Sequence, residues 1–266
     1  MSSMSSSKIE KFRDIVWEYY KLHGRHDLPW RQTNDPYCVL VSEVMLQQTQ
    51  VSRVIAKYEE FLKMFPTVHA LAKATFPEVL KVWNGLGYNR RAKYLHNAAV
   101  SIAVEHRGMF PREYPGLRSI PGIGQYTANA VRVFAFDEPE VLLETNVRTA
   151  IIHHFFPMKE EVEDYSIEKI AAAAAAEQDP REWHSALFDY GAHLKRSGVR
   201  NNSRSKHYTK QSKFEGSLRQ VRGAILRELA KSGRLNLPDS ARLRHALAGL
   251  KRDGLIVKEK GKWRIA

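Results

Sequence analysis

From Leu117 to Arg148 the chain reads LRSIPGIGQYTANAVRVFAFDEPEVLLETNVR. Leu117 and Ile120, at helical spacing, precede the hexapeptide Pro121-Gly122-Ile123-Gly124-Gln125-Tyr126. Thr127, Ala128, Ala130, Val131 and Phe134 then continue as a second helix. The pattern is a helix, a tight glycine turn and another helix. Two glycines permit positive φ and let a foreign backbone approach closely. A turn opening onto a helix also aims unpaired N–H groups outward, which suits a phosphate oxygen. Gly122, Gly124 and Gln125 are therefore candidate DNA contacts. The turn alone is divided evenly between DNA contact and an ordinary helix junction. The carboxylate of Glu144, eighteen residues past Tyr126 and followed by Asn146 and Arg148, raises the case for DNA.

The charge balance agrees. The chain of 266 residues carries a formal net charge of +13, which points to a polyanion, with nucleic acid ahead of a membrane surface. No apolar run approaches the length of a membrane span. The start, MSSMSSSK, has no apolar core behind it, so it reads as a disordered tail over residues 1–7 rather than a secretory signal. One cysteine, Cys38, rules out an internal disulfide and any four-cysteine metal or iron–sulfur site. Within YCVLV it is expected to be buried and inert. These features imply an intracellular, cytoplasmic and nucleoid-associated monomer.

Amphipathic periodicity predicts a helix over Lys8 to His23, then a loop carrying Leu28-Pro29-Trp30-Arg31. Pro36 opens a helix through YCVLVSEVMLQQ with Glu43 in its middle. Periodicity places Glu43 on a solvent face with Ser42 and Gln47. The competing reading is a functional carboxyl on a largely apolar helix, which must be paired or kept neutral. The polar run Gln47-Gln48-Thr49-Gln50 suits a DNA groove or a solvated helix end. A second glycine turn, Gly85-Leu86-Gly87-Tyr88, leads to Asn89-Arg90-Arg91 and a helix with a basic start. The adjacent His153 and His154 point different ways on a helix and are not a metal pair. The run of six alanines after Ile170 reads as a packed helix.

From Lys195 to Lys213 the chain is basic and free of acidic residues. Residues 196–213 are expected to form a linker lying on phosphates, with Arg200, Arg204, Lys206 and Lys210 as contacts. Two amphipathic helices and a polar–apolar hairpin around Glu259-Lys260-Gly261 suggest a small winged helix over residues 214–266. Such domains bind DNA or protein about equally often.

With these residues in view, the chain resembles the helix-hairpin-helix DNA glycosylases, and most closely their MutY-type adenine-glycosylase branch. LPWR, SEVMLQQTQV, GLGYNRRAKYLH and PGIGQYTANAV carry the resemblance, which covers roughly residues 8–195. It implies an all-α fold of two helical modules, the middle helices falling at roughly 28–145, joined here to the winged-helix-like α/β domain. It implies a monofunctional base-excision enzyme acting on double-stranded DNA with a mismatched or damaged base. Glu43 falls on the acid that protonates the leaving base, and Glu144 on the family's catalytic aspartate. Gln48 and Tyr88 fall on residues that wedge into the base stack beside the lesion, with Thr49 adjoining. Trp30, Arg31 and Asp189 fall near the adenine pocket. Tyr126 occupies the place of the lysine nucleophile of bifunctional relatives such as endonuclease III, so no Schiff base and no lyase step are expected. The carbonyls of Arg118, Ile120 and Ile123 match a monovalent-cation site, for Na or K.

The chain departs from the family in three respects. Glutamate replaces aspartate at Glu144, the iron–sulfur cysteines are missing, and the 8-oxoguanine-reading C-terminal domain is missing. The implied chemistry is that of two carboxylates. A flipped-out adenine is protonated by Glu43 as it leaves, an ionised Glu144 stabilises the sugar oxocarbenium ion, Asn146 orients the loop, and water completes hydrolysis. The longer glutamate works only if the backbone is withdrawn or the side chain folds back. The alternatives are a glycosylase for thymine, uracil or another base, and a non-catalytic lesion-binding protein.

Overall fold

A computed structural model describes residues 3–206 and 213–266. Among them are thirteen α-helices, α1–α13 in chain order, and one antiparallel hairpin, β1–β2. The chain separates into two compact units. The first comprises Met1–Pro36 and Gln125–Lys210; the second comprises Tyr37–Gly124 and Gln211–Ala266.

The first unit is built from α1 (Ser3–His23), α8 (Gln125–Phe136), α9 (Thr145–Phe155), α10 (Asp164–Ala175) and α11 (Pro180–Arg196). Its core joins Phe12, Val16 and Tyr20 of α1 to Ala150 and Ile151 of α9, Ile167 and Ala171 of α10, and Trp183 and Leu187 of α11. The alanine run lies in α10, where Ala171 and Ala174 are buried. The guanidinium of Arg13 donates to the carbonyls of Ala173, Ala174 and Ala176 at 2.8, 2.9 and 2.7 Å. Carbonyls at a helix C-terminus lack partners within the helix, so a cation from α1 is a fitting cap. The serine-rich start is not a free tail from Ser3 onward: α1 begins there, and Ser6 Oγ donates to Glu10 Oε1 at 3.5 Å. Serine is a middling helix former, and the amphipathic helix behind it supplies the nucleus.

The second unit holds α2 (Pro36–Leu46), α3 (Val51–Met64), α4 (Val68–Lys73), α5 (Phe76–Trp83), α6 (Arg90–Val104), α7 (Tyr114–Ser119), α12 (Leu218–Ser232) and α13 (Ala241–Arg252). Thr67 caps α4 by accepting the Ala70 N–H at 3.1 Å, and Thr75 with Glu78 forms a capping box on α5. Phe61 meets Trp83 edge-on, their ring centroids 6.1 Å apart. The strands β1 (Ile256–Glu259) and β2 (Lys262–Ile265) pair Ile256 with Ile265 and Glu259 with Lys262. Lys260 and Gly261 turn the hairpin with φ of 46° and 78°. Residues 233–240, between α12 and α13, form no helix.

Two further expectations are corrected by this fold. Cys38 is half-buried rather than enclosed. The stretch from Arg196 to Lys206 is folded onto the first unit and is not a linker. Ser205 pairs with Val162 as a parallel bridge, and Asn201 Nδ2 donates to the Thr149 carbonyl at 3.0 Å. Arg204 donates to the carbonyls of Lys159 and Phe156, and Lys206 pairs with Glu163. Charge counting overlooked the asparagine and serine side chains: Asn201 binds the Thr149 backbone, Asn202 accepts from the Thr149 hydroxyl at 3.0 Å, and Ser205 donates to Asp164 at 3.1 Å. Lys210 lies outside the described residues.

Candidate active site and DNA-contact turns

Glu144 is the N-cap of α9. Its side chain folds back, so that Oε1 accepts the N–H groups of Asn146 and Val147 at 2.6 and 3.0 Å. These donors lie at the positive end of the helix dipole, which favours a carboxylate. Burial pushes the Glu144 carboxyl above the usual glutamate range, and the two N–H groups, Lys195 and the Thr145 hydroxyl offset only part of that rise.

Helix α11 supports this cap from behind. A Cβ at Gly191 would stand 2.2 Å from the carbonyl oxygen of Asn146, so only glycine allows this approach. One turn later Lys195 Nζ donates to Asn146 Oδ1 at 3.1 Å and to Thr145 Oγ1 at 3.3 Å. Gly191 carries no mark in the sequence, and Lys195 reads there only as the start of the basic stretch.

His184, also on α11, anchors the approach to Glu144. Its Nδ1 lies 2.7 Å from the Pro180 carbonyl, and its Nε2 accepts the Leu142 N–H at 3.2 Å. The ring is therefore neutral, with its proton on Nδ1. Burial holds its pKa at about 4, against a small upward pull from the Pro180 carbonyl. The folded-state pKa is lowered, so this contribution is complete above the ordinary histidine value. It is lost as pH falls from about 6.5 toward 4. A second ring proton would face the Leu142 N–H. The expected loss is about 3 kcal/mol. Urea unfolding of the protein and of His184→Asn at several pH values tests this. A slope no shallower in the variant would remove His184 from the account.

Asp189 and Arg31 are together, but bound to one another. Asp189 accepts from Arg31 Nη1 and Nη2 at 2.8 and 3.0 Å and from the backbone N and Nε of Arg25, both at 2.8 Å. Burial raises the Asp189 carboxyl, but Arg31 and Arg25 outweigh it and hold it below the usual range. This knot fixes the loop that carries the buried Trp30. Tyr126 is half-buried on α8 beside Ala130, Val133 and Leu142.

In the second unit, Glu43 is only 7% exposed. The solvent-face expectation is overturned, because Val39 to Met45 are all buried and α2 has no polar side over that stretch. Gln48 and Tyr88 both adopt left-handed backbone conformations, with φ of 56° and 47°. For residues with a Cβ this costs on the order of 1–3 kcal/mol, and such outliers cluster at functional sites.

Arg91 joins the two turns that carry them. Its guanidinium donates to the carbonyls of Val44 and Met45 at 2.8 and 2.9 Å, to that of Gln47, and to Thr49 Oγ1 at 2.9 Å. It also reaches the carbonyls of Leu86 and Gly87, each at 3.2 Å. Burial lowers its pKa to about 10, so it remains a cation at neutral pH. In the sequence Arg91 reads only as part of the basic start of α6, and nothing there marks its burial.

At the hairpin turn only Gly122 has positive φ, at 89°; Gly124 does not, which corrects the expectation for both. A Cβ at Gly122 would stand 2.7 Å from Tyr94 Cβ, so the fold itself requires glycine there. A Cβ at Gly124 would meet no atom within 4 Å. Gln125 is exposed beside it. The cation expectation does not fit these residues. Arg118 Nη1 donates to the Ile123 carbonyl, and the Ile120 carbonyl accepts the Ile123 N–H at 3.1 Å. A bound Na or K ion would share Ile123 with a fixed positive charge. Among the described residues no cluster of three or more His, Cys, Asp or Glu could hold a metal. Arg204 and Lys206 are engaged as described above, while Arg200 is exposed, its Nη1 donating to the Val199 carbonyl at 3.3 Å.

Residues 41–176 match the model of the HhH-GPD superfamily of base excision DNA repair proteins. An adenine DNA glycosylase of Mycolicibacterium smegmatis is 35% identical over 262 residues, covering 88% of this chain and 89% of that one. One from Mycobacterium tuberculosis is 42% identical over 138 residues, covering 52% of this chain and 44% of its own. The structure of a thermostable thymine-DNA glycosylase aligns with a TM-score of 0.64 at 25% identity, covering 70% of this chain and 87% of that one.

Proposed function

The chain belongs to the HhH-GPD superfamily of base excision DNA repair proteins, and from that premise we propose that it is a monofunctional DNA glycosylase that removes adenine mispaired with guanine or 8-oxoguanine. The adenine assignment is supported by likeness to an adenine DNA glycosylase along nearly its whole length. The catalytic assignment is carried by Glu144, a carboxylate held on the N–H groups of Asn146 and Val147 at the start of a helix.

In this reading the duplex is gripped at the hairpin. Gly124 adds no side chain where a phosphate would approach, and the N–H groups that open α8 receive it. Gln48 and Tyr88 fill the stack left by the departing nucleotide, and their left-handed backbones project them as the tips of two turns held by Arg91. Glu43, shielded from bulk water, gives its proton to the adenine ring as the glycosidic bond breaks. Glu144 balances the positive charge on the sugar, with Lys195 and Asn146 fixing its position. Water then adds to the sugar carbon. Trp30 borders the base, positioned by the Arg31–Asp189–Arg25 knot.

A second reading takes thymine opposite guanine as substrate, supported by the likeness to a thymine-DNA glycosylase. A panel of mispaired duplexes separates the two. Strand breaks are expected at adenine and only after alkali, and borohydride should trap no adduct because Tyr126 supplies no amine. Release of thymine instead of adenine moves the assignment to the second reading. Efficient trapping would end the monofunctional one.

A further inference from the structure

The C-terminal helices are fastened to the glycine turn that ends in Tyr88. Arg219, in the first turn of α12, donates from Nη1 to the Tyr88 phenol oxygen, and its guanidinium carbon lies 5.6 Å from the ring centroid. The guanidinium of Arg91 lies 5.4 Å from the same centroid. A second link runs through Asp253, which follows α13. It accepts from Arg222 Nη2 at 2.5 Å and stands 3.9 Å from Arg90 Nε. Helix α12 also packs against α5, directly before the turn.

We propose that Arg219 is a positioning residue for Tyr88, through which the C-terminal domain sets the orientation of the wedge before DNA arrives. The proposal rests on Tyr88 acting as a wedge, as argued above. A tyrosine at the tip of a turn loses rotamer freedom when it enters a base stack, and that loss subtracts from binding. A guanidinium within cation–π reach of the ring that also donates to its hydroxyl removes the freedom beforehand. The arrangement also gathers Arg90, Arg91, Arg219 and Arg222 around one turn. Asp253 offsets one of these four charges; the remaining like charges repel one another, and the phosphates beside a wedged base relieve that repulsion. The C-terminal domain thereby acts on the lesion step without reading the opposite base itself.

The test uses the full chain and a duplex with 2-aminopurine beside the target base of the mispair cleaved fastest. Arg219→Ala should slow the flipping signal about tenfold, the order carried by a hydrogen bond to a charged group. Its affinity for an undamaged duplex should fall by clearly less than the flipping rate, because only one phosphate-facing cation is lost there. Arg219→Lys keeps the charge and should recover part of the rate. Tyr88→Phe removes the acceptor, so the double variant should be no slower than the slower single. Additive losses, an equal loss on undamaged DNA, or an unchanged flipping rate in Arg219→Ala would each overturn the proposal. Melting temperatures of all variants separate a merely structural contact, which would weaken every complex together. Tyr88→Ala is the control for the premise. If it flips the base at the parent rate, the wedge reading falls and the proposal with it. If it is impaired while Arg219→Ala is not, only the proposal falls.

Discussion

Glu43→Gln releases no base while still binding the mispaired duplex: this is the largest single effect expected in the protein. The substitution keeps the volume and hydrogen-bonding reach of the side chain on buried α2, so the fold should persist. In the proposed chemistry it removes the proton that an adenine leaving group needs. General acid catalysis contributes about 10²–10⁴-fold, and the loss should fall in or above that range. Single-turnover excision measures the chemical step, and an electrophoretic mobility shift measures binding. A variant that excises at the parent rate would show that the proton comes from elsewhere.

Glu144 gives the second large effect, and the structure narrows what its variants can do. Glu144→Gln offers an oxygen to the Asn146 and Val147 N–H groups, so α9 stays capped. It has no negative charge to set against the oxocarbenium ion, and excision should fall by about 10²-fold or more. Glu144→Asp is the sharper case. The present side chain already folds back onto the N–H groups two and three residues ahead, which an N-cap aspartate reaches naturally. Asp should therefore place its carboxylate on the same donors and match or exceed the parent in single-turnover rate. A variant slower by about 100-fold would mean that the carboxylate sits roughly 1 Å out of place and that the loop is fitted to glutamate. Full activity in Glu144→Gln would remove this residue from the chemistry.

The helical plan was legible because its signals are local. The apolar stripe of α1 and the Lys260-Gly261 turn each state their structure within a few residues. The hairpin and the carboxylate beyond it were legible for the same reason. Glu43 was not, because a helix buried on every side has no polar face for periodicity to detect. Arg91 was hidden by the rule that charged residues are exposed; its burial depends on six acceptors drawn from two separate turns. Arg204 and Lys206 were read as phosphate contacts because charge is visible in a sequence, whereas the carbonyls and the carboxylate that engage them are not. Gly191 carries no mark at all, since its reason lies in the backbone of another helix.

The left-handed backbone at Gln48 and Tyr88 bears on how this protein can be engineered. Any library screened for survival after heating rewards glycine or asparagine at these two positions, because both relax the backbone. Each such winner would discard a side chain that, in the function proposed above, enters the duplex. Thermotolerance and repair thus pull the same two codons in opposite directions, and a hardier enzyme must be sought at positions outside these turns.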